Sequence, residues 1–142
     1  MNKVVFRNCD ENSQYWVALE KQFQTEWSDF QFADTYQPEV NLPPVTVALR
    51  DNQVIGGLAY SHFKEPHGDS EVIWINAVYV SPEWRGQGIA SELINRGVRQ
   101  VSAITQSNLY VYTNVPSLYE SLGWLVVDIE SEPNHKVMKV SL

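Results

Sequence analysis

The sequence predicts a mixed α/β fold, a central sheet flanked by helices, built as a single domain over residues 1–142. Three observations predict it. The run Glu71 to Val80 is almost continuously apolar through Val72, Ile73, Trp74, Ile75, Ala77, Val78 and Val80, as in a central strand covered on both faces. From Gly88 to about Thr105, Ile89, Leu93, Ile94, Val98, Val101 and Ile104 recur at helical spacing. Further strand-like and helical runs alternate around these two, with no linker, repeat or biased segment to divide the chain.

In chain order, Lys3 to Arg7 reads as a first strand. Asp10 offers an N-cap, and Tyr15, Trp16, Leu19 and Phe23 set a helix from about Glu11 to Gln24. Trp27 to Tyr36, aromatic and acidic, reads as a short second helix ending before Pro38, and Asn41 to Pro44 as a loop. Val45 to Arg50 and Gln53 to Phe63 are strands joined by an Asp51-Asn52 hairpin turn. Lys64 to Ser70 is a loop before the central strand, and Ser81-Pro82 stops that strand. Leu109 to Tyr112 is a strand, Pro116 to Ser121 a short helix with Gly123 at its end, and Trp124 to Ile129 and Lys136 to Leu142 are the last two strands. The predicted order is β-α-α-β-β-β-α-β-α-β-β.

Charge and composition exclude several functions. Ten Lys and Arg stand against seventeen Asp and Glu, a net charge of −7, which disfavours nucleic acid and anionic membranes as partners. No apolar run approaches a membrane span. The lone Cys9 forbids an intrachain disulfide and, with the polar start Met1-Asn2-Lys3, fits a cytoplasmic protein. His62 and His67 have no Cys, Asp or Glu partners at ligand spacing, so no metal is expected. No nucleophile elbow or cysteine–histidine pairing suggests a covalent intermediate.

The chemistry concentrates in Val78-Tyr79-Val80-Ser81-Pro82-Glu83-Trp84-Arg85-Gly86-Gln87-Gly88-Ile89-Ala90. A buried strand enters a two-glycine loop that opens directly into a helix. The unpaired N–H groups of a helix's first turn, the positive end of its dipole and the freedom of glycine make such a junction an anion trap. Arg85 adds a permanent cation. Ile89-Ala90 replaces the Lys-Ser/Thr that a P-loop needs, and no acid stands near Leu109 to Thr113 for a dinucleotide ribose.

Arg85, Gly88 and Ala90 do match Arg-x-x-Gly-x-Ala, which resembles the acetyl-CoA signature of the GCN5-related N-acetyltransferase superfamily. Leu109 to Thr113, followed by Leu118-Tyr119-Glu120-Ser121-Leu122-Gly123-Trp124, looks like that family's second signature. The resemblance implies a sheet splayed in the middle and an enzyme that moves acetyl from acetyl-CoA to a primary amine by direct attack. It implies that the backbone of Arg85, Gly86, Gln87, Gly88, Ile89 and Ala90 cradles the pyrophosphate, and that Val78, Tyr79 and Val80 offer edge groups to the pantetheine arm. Tyr119 then matches the tyrosine that protonates the leaving thiolate. Asn114 stands five positions before Tyr119, where many members have seven, and is read either as a coenzyme contact or as a helix cap.

Other roles stay open at this level. Glu71 is a candidate base or water anchor, and equally a solvated carboxylate at a strand end. His62 and His67 lie in or beside a loop that could rim the acceptor site, and equally read as ordinary surface residues, as does the loop acid Asp69. Trp16 and Trp74 read as core, and Trp27 with Phe30, Phe32 and Tyr36 as core or pocket wall. The acceptor is a small molecule or a peptide. The rival readings are a non-catalytic acyl-CoA-binding regulatory domain and an acetyltransferase of protein N-termini or lysines. The resemblance also makes a homodimer plausible.

Overall fold

A computed structural model of the chain describes residues 3–104 and 106–142; Met1 and Asn2, in the polar start, and Thr105, the expected end of the long helix after the central strand, lie outside them. Strands β1 (Val5–Cys9), β2 (Val45–Arg50), β3 (Gln53–Lys64), β4 (Glu71–Val80), β5 (Asn108–Thr113), β6 (Leu125–Val127) and β7 (Lys136–Ser141) join one sheet in the order β1-β2-β3-β4-β5-β7-β6. Among the described residues only the β4–β5 pair is parallel. Helix α1 (Gln14–Glu26) lies between β1 and β2 in the chain, α2 (Ile89–Ser102) between β4 and β5, and α3 (Pro116–Ser121) between β5 and β6.

Strand alternation sends successive side chains to opposite faces. Ala48, Ile73, Ile75 and Val111 meet Leu93, Ile94 and Val101 of α2 in one core layer. Val45, Val47, Leu49 and Ala59 meet Leu19 and Phe23 of α1 in the other. A third, smaller cluster of Trp74, Tyr110 and Val137 contains no helix residue. That part of the sheet face is therefore bare of helix. The Asp51-Asn52 turn holds φ at 52° and 64°, the left-handed pair that a two-residue hairpin of primed type requires.

Two expected elements change. Asp10 does not cap α1. Its Oδ1 accepts from Asn12 N–H at 3.0 Å and its carbonyl from Ser13 N–H at 2.9 Å, a tight turn that delays the helix. Ser13 becomes the cap, its Oγ accepting from Tyr15 N–H at 3.1 Å. The second helix shrinks to a single 3₁₀ turn, Phe32–Asp34. Side chains of α1 take the backbone groups that helix would have used: Gln24 Nε2 donates to Phe30 O at 2.8 Å, and Phe32 N–H donates to Glu20 Oε2 at 2.8 Å. Phe30 and Phe32 then pack edge-on against Phe23, with centroids 4.9 and 5.9 Å away. Cys9 is buried in β1, and burial pushes its thiol up to about 11.

Two buried tyrosines, Tyr60 and Tyr119, and the partly buried Tyr36 set the alkaline limit of the fold. Tyr36 donates to Pro43 O and accepts from Tyr60 N–H, and Tyr60 donates to Gln100 Oε1 at 2.7 Å. Burial raises the pKa of Tyr36, Tyr60 and Tyr119 well above the usual phenol value. A raised folded pKa means that the unfolded chain sheds these protons first. Their contribution is thus complete below the unfolded value of about 10 and is lost as pH climbs past it. The melting temperature should be level from about pH 7 to 9 and fall steeply above about pH 10; a flat profile through that range would contradict the burial of all three.

Candidate active site

The site begins where β4 and β5 part. Their register holds only at Trp74 with Tyr110 and Ile75 with Val111. At the next residue β4 carries a bulge: Tyr60 faces Ile75 and Ala59 faces Ala77, leaving Asn76 as the extra residue. A bulge bends its strand and increases its twist, and here it turns the last part of β4 away from β5. Beyond it, residues 77–80 keep β3 on one side and, among the described residues, have no strand on the other.

Alternation decides which groups that open edge presents. Ser81 N–H donates to Ile55 O at 2.8 Å, on the β3 side. Val80 and Val78 therefore turn their backbone groups outward, while Tyr79 turns its own toward Gly57 of β3. Of the three residues expected to meet pantetheine, only Val78 and Val80 face the gap. The Tyr79 side chain packs in the α1 layer, its hydroxyl 3.0 Å from Thr25 Oγ1. Arg85 folds back on this edge, Nε donating to the Val80 carbonyl at 2.7 Å with the guanidinium 5.3 Å from the Tyr79 ring centroid.

Beyond the edge, the 3₁₀ turn Pro82–Trp84 leads into the exposed loop Arg85 to Gly88. Gly86 and Gly88 hold φ at 79° and 81°, a region that side chains enter at a cost of about 1–2 kcal/mol. A Cβ on either would meet nothing within 4 Å, so the requirement is for backbone direction and not for space. Gly88 is the N-cap of α2 and makes no side-chain cap. The N–H groups of Ile89 and Ala90 are left in the first turn, facing the loop. Ile89 plants its side chain in the core below and Gln87 is exposed. This is the geometry of an anion cradle next to an unpaired strand edge.

β3 braces the edge from behind. A Cβ on Gly56 would stand 2.5 Å from Tyr79 O and 3.2 Å from Val80 Cα, both backbone atoms that cannot swing aside. Gly56→Ala should therefore lower stability by about 1–3 kcal/mol in a denaturation experiment. An unchanged midpoint would mean that β3 and β4 do not approach as closely as described.

Tyr119 lies in the same apolar layer as Val80 and Ile89, 3% exposed, its ring 5.1 Å from Trp124. Gly123, just past α3, takes φ of 92°, and Trp124 N–H donates back to Tyr119 O at 3.0 Å, which closes the helix under the ring. Asn114 caps nothing: Val115 is the N-cap of α3, and Thr113 Oγ1 accepts its N–H at 2.9 Å. The Asn114 side chain is exposed. Glu71 is not brought to the site. It is exposed at the opposite end of β4, five residues before Asn76, about 17 Å along the strand.

On the helix-free face next to the bulge lies a cavity of about 880 Å³. Phe63, Trp74, Asn76 and Tyr112 line it, with His62 and His67. Trp27 does not; it is 41% exposed and packs on Phe23. Thr35 is the one residue of the 27–36 segment on the cavity wall. Trp16 is half-buried against Phe32 and Tyr36. Reading by residue type passed over Asn76 and Tyr112. The signal for Asn76 is its place as the sole amide inside the apolar run of β4. The signal for Tyr112 is its alternation with the inward Val111.

The sequence matches the acetyltransferase (GNAT) family over residues 9–124. No curated protein matches the chain. Among solved structures it is similar to Arabidopsis thaliana NAA60 in complex with acetyl-CoA, with TM-score 0.72 and 15% identity over 99% of this chain and 100% of that one. It is similar to the GNAT-family N-acetyltransferase YhbS of Escherichia coli in complex with CoA, with TM-score 0.74 and 16% identity over 99% and 82%. An aminoglycoside 6'-N-acetyltransferase complexed with coenzyme A gives TM-score 0.73 and 13% identity over 96% of each chain. At such identities the likeness is one of fold.

Proposed function

The chain belongs to the acetyltransferase (GNAT) family, and from that premise we propose that it transfers acetyl from acetyl-CoA directly to a primary amine of a small molecule or peptide. The observation that carries the reading is the edge of Val78 and Val80, which pairs with no second strand and has only the Val80 carbonyl taken, by Arg85, running into the Gly86–Gly88 loop and the start of α2. The residues fit the group. An extended amide-bearing arm can pair with the edge as a strand would. A pyrophosphate can take the N–H groups from Gly86 to Ala90; that of Arg85, expected to join them, donates instead to Pro82 O at 3.3 Å. Acetyl-CoA supplies the activated acetyl thioester.

The chain's own groups do the rest. The outward N–H at Val80 is placed to polarise a carbonyl laid along the edge. Attack forms the C–N bond and breaks the C–S bond, and the ammonium proton leaves to water. The thiolate takes a proton from the Tyr119 hydroxyl, which solvent then restores. At a phenol's ordinary pKa of about 10 the Tyr119 hydroxyl is already protonated at neutral pH, and burial raises its pKa further. The same burial makes it a weaker donor, but it also raises the basicity of a thiolate held there. Asn114, exposed beside α3, is within this reading a coenzyme contact. Glu71 has no part in it.

The single cysteine supports a reducing compartment such as the cytoplasm, and the family likeness supports a homodimer. The regulatory, non-catalytic alternative differs in one observable. Incubation with acetyl-CoA and a panel of amines and peptides, read by mass spectrometry, should yield an acetylated product and free thiol. Binding without any product would favour the regulatory reading.

A further inference from the structure

The cavity beside the bulge deepens this reading, and the inference rests on it: the cavity selects which amine is acetylated. Its floor is aromatic, with Trp74 5.2 Å from Tyr110 and 6.0 Å from Phe63 by ring centroids. The β3–β4 loop arches over that floor. Its residue His67, at φ 60°, places Nε2 2.8 Å from Asp128 O in the segment after β6. Around the cavity stand Glu65, Asp69 and Glu130 against one cation, Lys64.

We propose that the acceptor is a small amine carrying a second positive charge, of the diamine or polyamine class. Its reacting nitrogen sits at Asn76, and its second charge lies among Glu65, Asp69 and Glu130. The physical reason concerns which charge survives the reaction. The attacking nitrogen must be neutral, so a carboxylate that holds its ammonium form opposes attack. A second cation, remote from the reacting atom, keeps its charge from binding through the transition state, and its attraction to the carboxylates and to the aromatic floor helps throughout.

The spacing agrees. Glu65 stands close enough to Tyr110 that its charge, after burial, helps raise that phenol's pKa. Tyr110 faces Trp74 in register, and Trp74 precedes Asn76 by two residues, roughly 7 Å along the strand. Asn76, Glu65, Asp69 and Glu130 line one cavity, so a short diamine can place one nitrogen at Asn76 and the other among the carboxylates. The His67–Asp128 contact crosses one side of the open cavity, which favours a small acceptor over an amine with a chain continuing behind it.

The test titrates the whole protein with diaminobutane, butylamine and a short peptide with a free N-terminus, then measures acetyl transfer to each. Diaminobutane should bind about tenfold more tightly than butylamine and be acetylated with a correspondingly higher kcat/KM. Glu65→Gln, Asp69→Asn and Glu130→Gln combined should bring its affinity down to that of butylamine. Equal use of the monoamine, preference for the peptide, or a charge-neutralised variant that keeps the preference would overturn the proposal. A separate acetyl-CoA titration distinguishes the two failures. Bound acetyl-CoA without diamine preference rejects the acceptor class alone, whereas no acetyl-CoA binding rejects the cofactor reading beneath it.

Discussion

Gly88→Val should reduce acetyl-CoA affinity by about a hundredfold, close to 3 kcal/mol. The residue holds φ at 81° as the N-cap of α2. Valine has room there, since a Cβ meets nothing within 4 Å, but it resists the left-handed backbone by about 1–2 kcal/mol. The chain relieves that strain by rotating the loop, which turns the N–H groups of Ile89 and Ala90 away from the anion. Each charge-assisted hydrogen bond lost costs about 1.5–3 kcal/mol more. Gly123→Val is the matching control. Its φ is 92°, also with nothing within 4 Å of a Cβ, but it follows α3 and lies outside the cradle. That variant should lose stability and keep its affinity for acetyl-CoA. Equal losses of affinity in both would mean that the effect reports general strain and not a cradle.

Tyr119→Phe should lower kcat by about a hundredfold, the usual scale of a positioned general acid, while leaving acetyl-CoA binding within a factor of about two. Phenylalanine keeps the ring 5.1 Å from Trp124 and the filled layer beneath α2, so the core changes little and the lost hydroxyl is the main difference. Single-turnover kinetics separates the two quantities. A normal rate would leave Tyr119 as a packing residue, the role its 3% exposure would fit equally well. A large loss of affinity with an unchanged rate would give it a binding role in place of a chemical one.

Much of the fold was legible because apolar periodicity reports burial directly. Glu71–Val80 and Pro116–Ser121 stand as the sequence reading placed them, since each is bounded by residues that stop it. The 27–36 segment was misread because its aromatic spacing suits a helix in isolation. What decides its structure is a long-range exchange, the hydrogen bonds from Gln24 and Glu20 of α1 to Phe30 and Phe32. The cap of α1 moved for a local reason, since Asp10 and Ser13 compete for the same turn and the nearer residue wins.

The candidate site divides along the same line. The glycines and the helix start are local, and positive φ at Gly86 and Gly88 was foreseeable from residue type. The bulge at Asn76 belongs to the pairing of β3 with β4, which no single run of residues encodes. From that bulge follow the gap between β4 and β5, the outward turn of Val78 and Val80, and the inward turn of Tyr79. Glu71 looked close to the chemistry because it shares a strand with Val80; the length of the strand is what separates them.

The most direct test of the central claim is a calorimetric titration of the purified protein with acetyl-CoA, with ATP and NAD as controls. The account predicts one saturable site for acetyl-CoA, weak or absent binding of the other two, and stabilisation by about 2.7 kcal/mol at a hundredfold excess over the Kd. Equal binding of all three, or no binding of acetyl-CoA, would contradict the assignment of the β4 edge and the Arg85 to Ala90 loop.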